Sequence, residues 1–414
     1  MAKRILVISQ HYWPETFRST DVCKGFVELG YEVDLLCGLP NYPKGELTEG
    51  YGFFKRRRER KDGVEIFRAW EIPRKGNTSL RIFLNYVSFP FFACFDLLRL
   101  AGRHYDAVFC YETSPVLMAF PAILYGKLHR VPSTIYVLDL WPENLYSVLP
   151  IKNRLLRSIA MWVSNWHYKA ADRLIAMSPG LRQKLIERTG KPAQKVAVIP
   201  QYCEALYTQD LEDPALRRRF GDKFNVVFAG NFSPAQALEN LVEVARRLRA
   251  RGEKGIRFIL VGDGMSREEL MQTVAAEGLS DYFAFEGPHP MTDIPAYHTL
   301  ADALIACLAK SEDLGLTIPA KITSYCAAGR PILACMDGEG ARVVQQAGCG
   351  FACAAGDLDA LTENLLRLYR MSAAERAEMG RRGRAYNALH FDRGNLLRQM
   401  TDFMLGSDAP AAVD

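Results

Sequence analysis

The sequence lacks several features that would assign it to a functional class at once. Its ten cysteines form no CxxC pair, which argues against a zinc site or a disulfide framework. They stand in apolar surroundings, as at Cys110 and Cys335, so buried thiols in a reducing compartment are expected. The early apolar run Ile5–Ile8 is too short for a signal peptide, and no signal peptide is expected.

A clean apolar segment of membrane-spanning length is also missing. Leu80–Leu100 is apolar and aromatic, but it is broken by Pro90 and interrupted by three polar residues. It falls short of the roughly 20 consecutive apolar residues that a spanning helix needs. Two interpretations stay open: a helix buried in its domain, or a helix whose outer face also dips into a membrane surface.

The charges are unevenly distributed along the chain, although the net charge is only +5. Residues 1–205 hold 29 Lys and Arg against 19 Asp and Glu, whereas residues 206–414 hold 23 against 28. The densest basic run is Lys55–Lys61. Such a run is usually a solvated turn, but a basic first half also favours contact with an anionic surface.

The pattern of apolar runs predicts the fold class. With 414 residues, 49% of them hydrophobic, the chain is long enough for two or three domains. Short apolar strands alternate with helices from Arg4–Ser9 onwards, which predicts an α/β protein with two Rossmann-like domains facing across a cleft. The first strand is followed by no GxGxxG, so a dinucleotide cofactor is not expected. The predicted parts are a first domain at 1–204, a linker at 205–223, a second domain at 224–386, a C-terminal helix at 387–406 that returns to the first domain, and a tail at 407–414.

The stretch Leu316–Leu333 predicts a loop, a short helix and a buried strand. Pro319 suits the first turn of the helix, and Gly329 suits its end because glycine adopts positive φ. Lys321 lies in the first turns, where free backbone N–H groups can receive an anion. An ordinary αβ unit with Lys321 in solvent explains the same pattern.

Glycines end three predicted strands of the second domain, at Gly230, at Gly262 with Gly264, and at Gly287. Glycine lets the backbone approach a ligand closely. Ligands of open parallel sheets bind beyond the carboxyl ends of the strands. Together with Lys321, these strand ends predict a pocket for a nucleotide diphosphate.

Two acidic pairs receive different interpretations. Asp139 and Glu143 follow a predicted strand of the first domain, where chemistry can occur, although Asp139 also suits a helix cap. Asp357–Asp359 has the letters of a DxD metal–nucleotide motif. We interpret it as the start of a helix, because acidic residues suit a helix N-terminus.

At the level of motifs, the chain resembles the family 4 glycosyltransferases over nearly its whole length. The motifs in the second half are Phe228–Asn231, Val261–Gly264, Ala301–Leu304, Pro319–Ile322 and Tyr325–Leu333. The first half is similar to a narrower branch that transfers N-acetylated amino sugars, such as N-acetyl-fucosamine, in surface polysaccharide assembly. The motifs there are Tyr12–Glu15, Asn41–Pro43, Asp139–Glu143 and Ile199–Tyr202.

This resemblance implies the B-type glycosyltransferase fold and transfer of a sugar with retained configuration, from a UDP-sugar to a polyprenyl-diphosphate-linked saccharide. No metal or other cofactor is expected. The implied catalytic residues are Asp139, Glu143 and Lys321. The implied donor-binding residues are Arg18, Gly230, Asn231, Gln236, Gly262, Gly264, Gly287, Pro288, Leu316, Thr317, Lys321 and Ser324. The implied acceptor-side residues are Glu15, Asn41, Tyr42 and Trp141.

The sequence departs from the family pattern at three of these positions. Asn231 and Gln236 stand where many members carry the Arg and Lys of a diphosphate clamp. Ser324 stands where many have the second Glu of a Glu-x7-Glu pair, which holds the ribose. Arg18 and Lys321 are the remaining candidates to neutralise the diphosphate.

Other functional classes stay open. A nucleotide-sugar 2-epimerase shares the architecture that the resemblance implies, and a non-catalytic nucleotide- or glycan-binding protein is favoured by the missing Glu pair. The expected location is cytoplasmic, peripheral on the inner face of a bacterial plasma membrane. The basic first half and Leu80–Leu100 would contact the anionic leaflet there. No nucleic acid partner is expected.

Overall fold

The computed structural model describes residues 2–143 and 153–409. The chain divides into two compact units, the first formed by 1–200 with 394–414 and the second by 201–393. Each unit is built on its own mainly parallel β-sheet with helices packed against it. The predicted fold class, an α/β chain with two Rossmann-like domains, is therefore confirmed.

The sheet of the first unit has eight strands. They are β1 Arg4–Ile8, β2 Glu32–Cys37, β3 Arg58–Lys61, β4 Val64–Arg68, β5 Ala107–Glu112, β6 Ser133–Val137, β7 Arg173–Ala176 and β8 Val196–Val198. The order across the sheet is β3-β4-β2-β1-β5-β6-β7-β8, and only β3 runs antiparallel to its neighbour. The inner strands are continuous apolar runs because helices cover both faces of a parallel sheet.

Among the described residues up to 200, the α-helices with given bounds are α1 Ser19–Glu28, α2 Ser79–Asp96, α3 Phe120–His129, α4 Arg154–Ala170 and α5 Pro179–Thr189. The connections from β4 to β5, from β5 to β6 and from β6 to β7 all step in the same direction across the sheet. Right-handed crossovers therefore place α2, α3 and α4 on one face of the sheet. The step from β1 to β2 runs the other way, which places α1 on the opposite face.

The basic run Lys55–Lys61 corrects one expectation. The prediction of a solvated turn is wrong for the second half of this basic run, because Arg58–Lys61 forms the edge strand β3. Charged side chains suit an edge because they oppose pairing with another chain. Arg57 is also tied to the fold: its Nη2 donates to Asp96 Oδ2 at 2.6 Å, and its guanidinium lies 5.1 Å from the ring centroid of Trp70.

Helix α2 runs through Pro90 without a break and continues as a 3-10 turn at Leu97–Leu100. Its polar residues Asn85, Ser88 and Asp96 are buried. Its outer face, continued by the 3-10 turn, exposes the apolar side chains of Leu80, Phe83, Val87, Phe91, Phe95 and Leu98. The interpretation of a wholly buried helix is therefore wrong.

The length and composition of α2 with its 3-10 extension would also allow it to cross a membrane. Within the described residues it is the one helix that passes this test, and 39% of its apolar window is buried inside the protein. The core helix of a globular domain passes the same test, so this finding alone assigns no transmembrane segment.

The second unit contains a six-stranded sheet. Its strands are β9 Phe224–Ala229, β10 Ile256–Val261, β11 Phe283–Gly287, β12 Ala303–Cys307, β13 Ile332–Cys335 and β14 Gly350–Cys353. They are all parallel, in the order β11-β10-β9-β12-β13-β14. The helices are α6 Pro214–Phe220, α7 Glu239–Ala250, α8 Arg267–Ala276, α9 Ile294–Leu300, α10 Glu312–Gly315, α11 Ala320–Ala328, α12 Glu339–Ala347, α13 Leu358–Arg370 and α14 Ala373–His390.

The stretch Leu316–Leu333 has the predicted order of loop, helix and strand, formed by α11 and β13. Pro319 is the N-cap residue rather than part of the first turn. Gly329 ends the helix with φ of +67°, the left-handed conformation that glycine adopts without strain. Asp357 caps α13 by accepting a hydrogen bond from the Ala360 N–H at 3.0 Å, which confirms a helix start at the DxD letters.

The last helix, α15 Arg393–Met404, belongs to the first unit. The Arg173 Nη2 donates to the Gly406 carbonyl at 2.8 Å, and its guanidinium lies 5.0 Å from the Phe403 ring centroid. Residues 205–223, expected as a linker, lie inside the second unit and include α6. Of the expected tail, 410–414 lies outside the described residues.

Candidate functional site

The predicted glycine-bearing strand ends lie together at one edge of the second sheet. Strands β9, β10 and β11 are parallel neighbours, so their carboxyl ends meet. The Gly230 N–H donates to the Val261 carbonyl at 2.9 Å, and the Gly262 N–H donates to the Gly287 carbonyl at 2.7 Å. These hydrogen bonds join the three strand ends into one rigid rim.

Glycine is required at this rim for steric reasons. Gly230 has φ of +147°, and a Cβ there would lie 2.9 Å from Lys321 Nζ. Gly262 has φ of +134°, and a Cβ there would lie 2.0 Å from the Gly230 carbonyl oxygen. Any side chain at Gly230 would therefore displace the Lys321 ammonium, and any side chain at Gly262 would part the two strand ends.

Lys321 lies in the first turn of α11 and reaches over the end of β9. Its Nζ donates to Gln236 Oε1 at 2.6 Å and lies 4.5 Å from the ring centroid of Phe228. Burial lowers the pKa of Lys321 to about 8. The structure thus brings together three predicted donor-site residues, Gly230, Gln236 and Lys321, and the Lys321 ammonium donates to a neutral amide.

A cavity of about 300 Å³ opens beside this rim within the second unit. It is lined by predicted residues, namely Gly230, Asn231, Gly262 and Pro288. It is also lined by residues that the sequence reasoning did not select for the site, namely Tyr207, Ala229, Val261, Asp263, His289, Met291 and Ile294. The signal for Asp263 and His289 was present in the sequence, since Asp263 directly follows Gly262 and His289 lies two residues after Gly287.

Other predicted donor residues do not line this cavity. Ser324 donates its hydroxyl to the Lys321 carbonyl at 3.0 Å, within its own helix. Thr317 Oγ1 lies 3.5 Å from the Leu314 carbonyl, and Leu316 ends α10 as its C-cap. Gly264 and Gly287 flank lining residues in the sequence. The donor roles of these residues stay predictions.

In the first unit, Asp139 lies beside a buried acid that the sequence analysis did not select. Glu112 ends β5 and is fully buried, and its carbonyl accepts a hydrogen bond from the Leu138 N–H at 3.3 Å. Neither carboxyl oxygen of Glu112 has a hydrogen-bond partner in the described part of the chain. Burial, and secondarily the charge of Asp139, raises the pKa of Glu112 well above its ordinary value.

Glu143 and Trp141 are held by one arginine of α5. Arg188 Nη1 lies 3.1 Å from Glu143 Oε2, and its Nη2 donates to the Trp141 carbonyl at 3.1 Å. Trp141 is buried, and its backbone N–H donates to the Tyr168 hydroxyl at 3.3 Å. Arg188 therefore fixes the loop that carries Asp139, and the catalytic role of Glu143 stays a prediction.

The predicted acceptor-side residues Glu15, Asn41 and Tyr42 form one hydrogen-bond network, in which Glu15 and Asn41 are buried. Glu15 Oε1 accepts hydrogen bonds from the N–H groups of Asn41 and Tyr42, both at 2.7 Å. Glu15 Oε2 lies 2.8 Å from His11 Nδ1, and Arg74 Nη2 lies 3.2 Å from His11 Nε2. The network joins the loops after β1, β2 and β4, so Glu15 has a structural role whatever its part in binding.

Two further predictions concern charge at the site. Arg18 lies in the first unit as the N-cap residue of α1, and its role towards a diphosphate stays a prediction. Across residues 2–143 and 153–409, no group of three or more His, Cys, Asp or Glu side chains could hold a metal ion. All ten cysteines are free, and eight are buried, as expected from their apolar surroundings.

Comparison with protein families assigns both units. Residues 17–201 match the model described as "Glycosyl transferase 4-like domain". Residues 223–371 match the model described as "Glycosyl transferases group 1". The second match contains the glycine rim, Lys321 and every residue that lines the cavity except Tyr207. Together the two models cover most of the chain.

Individual relatives are distant. The chain is 24% identical over 341 residues to WcaI of Escherichia coli, named for colanic acid biosynthesis, covering 79% of this chain and 81% of WcaI. It is 27% identical to the glycosyltransferase WbjE of Pseudomonas aeruginosa, covering 59% of this chain and 61% of WbjE. It is 24% identical to a GDP-mannose-dependent phosphatidylinositol monomannoside mannosyltransferase of Mycobacterium tuberculosis, covering 75% and 79%.

Solved structures share the fold at low identity. HepE of Anabaena in complex with UDP superposes with a TM-score of 0.68 at 17% identity, covering 97% of this chain and 99% of HepE. WaaG, a glycosyltransferase of lipopolysaccharide biosynthesis, superposes with a TM-score of 0.67 at 13% identity, covering 98% and 100%. From the two matched domains and this fold, the chain belongs to the glycosyltransferases of the family 4 type, with the B-type fold.

Proposed function

We propose that this glycosyltransferase moves a sugar from a UDP-sugar to a polyprenyl-diphosphate-linked saccharide in bacterial surface glycan synthesis, with retention of configuration. The observation that carries the proposal is the glycine rim with Lys321 above it. A nucleotide diphosphate needs a backbone that it can approach and a cation near its phosphates. Gly230, Gly262 and Lys321 supply these two features at one place.

The choice of a uracil nucleotide rests on the first-half resemblance and on structural neighbours. HepE is described in complex with UDP, whereas the mycobacterial relative is named as GDP-mannose-dependent. Thermal shift and calorimetry with UDP, GDP and ADP separate these donors, because a ligand that binds the folded state raises the apparent stability. Stronger stabilisation by GDP than by UDP would overturn the UDP proposal and leave the transferase assignment intact.

Lys321 and the start of α11, beside the glycine rim, would act on the departing diphosphate. As the bond from sugar to diphosphate breaks, negative charge grows on the leaving oxygen, and preorganised donors stabilise it. Lys321 would supply its ammonium, and the first N–H groups of α11 would add donors that have no partner within the helix. No metal or other cofactor enters this scheme.

Asp139 would bind or orient the sugar or the acceptor from the first unit. Its loop is fixed by Arg188, which contacts both Glu143 and the Trp141 carbonyl. A fixed loop suits this role, because a small misplacement of a positioning group costs much of the rate. Glu143 would assist Asp139 in this role, with its carboxylate paired with Arg188.

The acceptor and the sugar follow from the narrower resemblance. We infer an N-acetylated amino sugar such as N-acetyl-fucosamine, and a relative named for colanic acid biosynthesis supports a role in surface polysaccharide assembly. The direct test is incubation with radiolabelled UDP-N-acetyl sugars and a membrane extract that contains polyprenyl-diphosphate saccharides. Label that appears in the organic phase supports the proposal, whereas label that is transferred only to soluble acceptors contradicts the lipid-linked acceptor.

A non-catalytic nucleotide-binding protein is the second candidate, because one observation favours it. Ser324 occupies the position of the ribose-holding Glu, and its hydroxyl bonds to its own helix at Lys321 O. Measured turnover with any donor and acceptor would exclude this candidate. Tight UDP binding without transfer or hydrolysis over a full donor panel would favour it.

We further propose that the protein is cytoplasmic and peripheral on the inner face of the plasma membrane. The first half is basic, Lys55 and Arg56 are exposed, and α2 presents its outer face of six apolar residues to solvent. The polar inward side of α2 is bonded into the domain, as when Asn85 Nδ2 donates to the Ile72 carbonyl at 2.9 Å. The helix would therefore lie along the membrane surface rather than cross it.

A further inference from the structure

A second helix of the first unit presents apolar side chains to solvent. Helix α4 exposes Leu155 and Trp162 at 68% each, and Ile159 at 48%. Leu156 and Trp166 are exposed at 52% and 39%. Single exposed apolar residues are common on protein surfaces, but five on one helix form a contiguous apolar side, which marks an interaction surface.

The opposite side of α4 fixes the helix in the domain. Ala160, Ser164, His167 and Tyr168 are its buried residues. The Ser164 hydroxyl hydrogen-bonds to the Trp141 carbonyl, and the Tyr168 hydroxyl accepts from the Trp141 N–H at 3.3 Å. These contacts hold the helix with its apolar side outward, because rotation about the helix axis would break them.

The exposed sides of α2, α3 and α4 lie on the same face of the unit. Right-handed crossovers place the three helices on one face of the sheet. Helix α3 packs against both of its neighbours, and the Phe120 and Trp166 rings bridge α3 and α4 with centroids 5.8 Å apart. We call the outward sides of these helices the three-helix face.

The charges on the three-helix face are of one sign. Its exposed charged residues are Arg81, Arg99, Lys127, Arg130, Arg154, Arg157 and Lys169. The three helices contain a single acidic residue, Asp96, which is buried and paired with Arg57 and Arg99. Aromatic and aliphatic side chains among exposed cations, without anions, match an anionic lipid surface in both polarity and charge.

We propose that α4 is a second lipid-binding helix, and that the three-helix face lies flat on an anionic bilayer. This inference rests on the membrane attachment stated under the proposed function, which needs α2 alone. Two separated helices in contact with the bilayer would fix the orientation of the first unit, because one contact leaves the unit free to rotate about it. The strand ends that carry Asp139 would then stand at a set height relative to lipid headgroups.

The test uses the full chain and vesicles made from equal parts of phosphatidylcholine and phosphatidylglycerol. In the α4 variant, Leu155, Ile159 and Trp162 all become Ser. The control variant changes three exposed apolar residues of the second unit to Ser, namely Leu211, Met265 and Leu389. We expect the α4 variant to lose roughly tenfold or more in vesicle partitioning, since apolar burial drives interfacial binding. The control should bind like the parent.

A spectroscopic readout covers the case in which the triple variant fails to fold. Vesicles that contain brominated phosphatidylglycerol quench tryptophans that enter the acyl region. We expect less tryptophan quenching in the single variant Trp162→Phe than in the parent. This substitution removes one exposed indole and keeps an aromatic ring. Quenching that is equal in parent and Trp162→Phe would overturn the role of α4.

The outcomes separate this inference from the proposals beneath it. If the parent binds anionic vesicles and the α4 variant binds equally well, α4 is not a lipid contact, although attachment through α2 stands. If the parent ignores anionic vesicles at low salt, both membrane proposals fail and the transferase assignment stands. If Ile159→Ser instead abolishes a concentration-dependent dimer and indole quenching is absent, the face contacts a second copy and the inference is overturned.

Discussion

The two units have the same architecture and present different surfaces. Among the described residues, the large exposed hydrophobics of the first unit include nine aromatic side chains, whereas those of the second unit are Leu211, Met265, Met271, Met291 and Leu389. The second unit instead has glycines at its strand ends, with the buried ammonium of Lys321 beside them. A shared α/β fold therefore sets where loops and helices lie, and residue choice on those elements sets what each unit binds.

The largest expected effect concerns Asp139, and it decides whether the first unit takes part in catalysis or only binds surfaces. Asp139→Asn should lower turnover on the order of 100-fold, as expected for loss of a group that positions a reactant, and it should leave the melting temperature near that of the parent. Steady-state kinetics with the true donor and acceptor measure this. The exposed carboxylate Asp281, changed to Asn, is the control. Near-normal turnover in Asp139→Asn would remove it from the site.

The next prediction sharpens the role of the second unit. Lys321→Ala should weaken UDP binding by roughly 1.5–3 kcal/mol, the value of a hydrogen bond to a charged group. Because the pKa of Lys321 is about 8, the parent should bind UDP less well at pH 9 than at pH 7, as the ammonium loses its proton. Calorimetry across this range checks both statements.

Lys321→Arg provides the control for this pH dependence, because an arginine stays charged throughout the range. Its affinity for UDP should vary with pH less than that of the parent. The same pH slope in parent, Lys321→Ala and Lys321→Arg would show that another group titrates.

The third prediction concerns the basic edge of the first unit. Changing Lys55, Arg56 and Arg60 to Ser should weaken binding to anionic vesicles, because each cation near such a leaflet contributes about 1 kcal/mol. Arg57 is left unchanged because it bonds to Asp96 at 2.6 Å, and its loss would disturb α2. Binding should fall with salt in the parent.

The control for this prediction lies on the other unit. Arg217, Arg218 and Lys254, all exposed on the second unit, are changed to Ser in a matched variant that removes the same number of charges. Equal loss of vesicle binding in the two variants would mean that net charge, and not the first unit's surface, attracts the protein to lipid.

The smallest expected effect on activity concerns the buried acid beside Asp139, because its substitution should change stability rather than binding. The pKa of Glu112 is raised in the folded protein, so the folded state holds a proton that the unfolded state releases above its own lower pKa. Glu112 therefore makes the free energy of unfolding fall as pH rises, by at most about 1.4 kcal/mol per pH unit. Glu112→Gln should remove this slope. Urea unfolding between pH 5 and pH 8 would reveal an unchanged slope if the reasoning fails.

Local patterns were sufficient to predict most of the fold and the rim of the site. Buried strands are apolar runs, and glycines mark where these strands end. Strands β9 to β11 and the glycine rim at their carboxyl ends could therefore be predicted from the sequence. Strand β3 was not predicted, because four consecutive charged residues do not indicate a strand unless the segment is known to lie at a sheet edge. The segment that forms α12 and β14 was not assigned.

Other parts depend on contacts that a linear pattern does not contain. Tyr207 and Ile294 enter the cavity from segments distant in sequence. Glu112 directly follows an apolar strand segment and reads as its exposed end, yet it is fully buried. The hydrogen bond between Lys321 and Gln236 spans 85 positions, and only the folded chain brings them together.

The inverted polarity of α2 has a consequence for how the chain tolerates substitution. In an ordinary core helix, the apolar positions resist change and the polar ones accept it. In α2 this order is reversed at several positions, because Asn85 and Asp96 bond inward while Phe91 and Phe95 face solvent. A saturation scan scored by folding should find Phe91 and Phe95 permissive, whereas the same scan scored by growth, where glycan assembly matters, should find them restricted. The gap between the two scores at each position would map lipid contact without a bilayer in the assay.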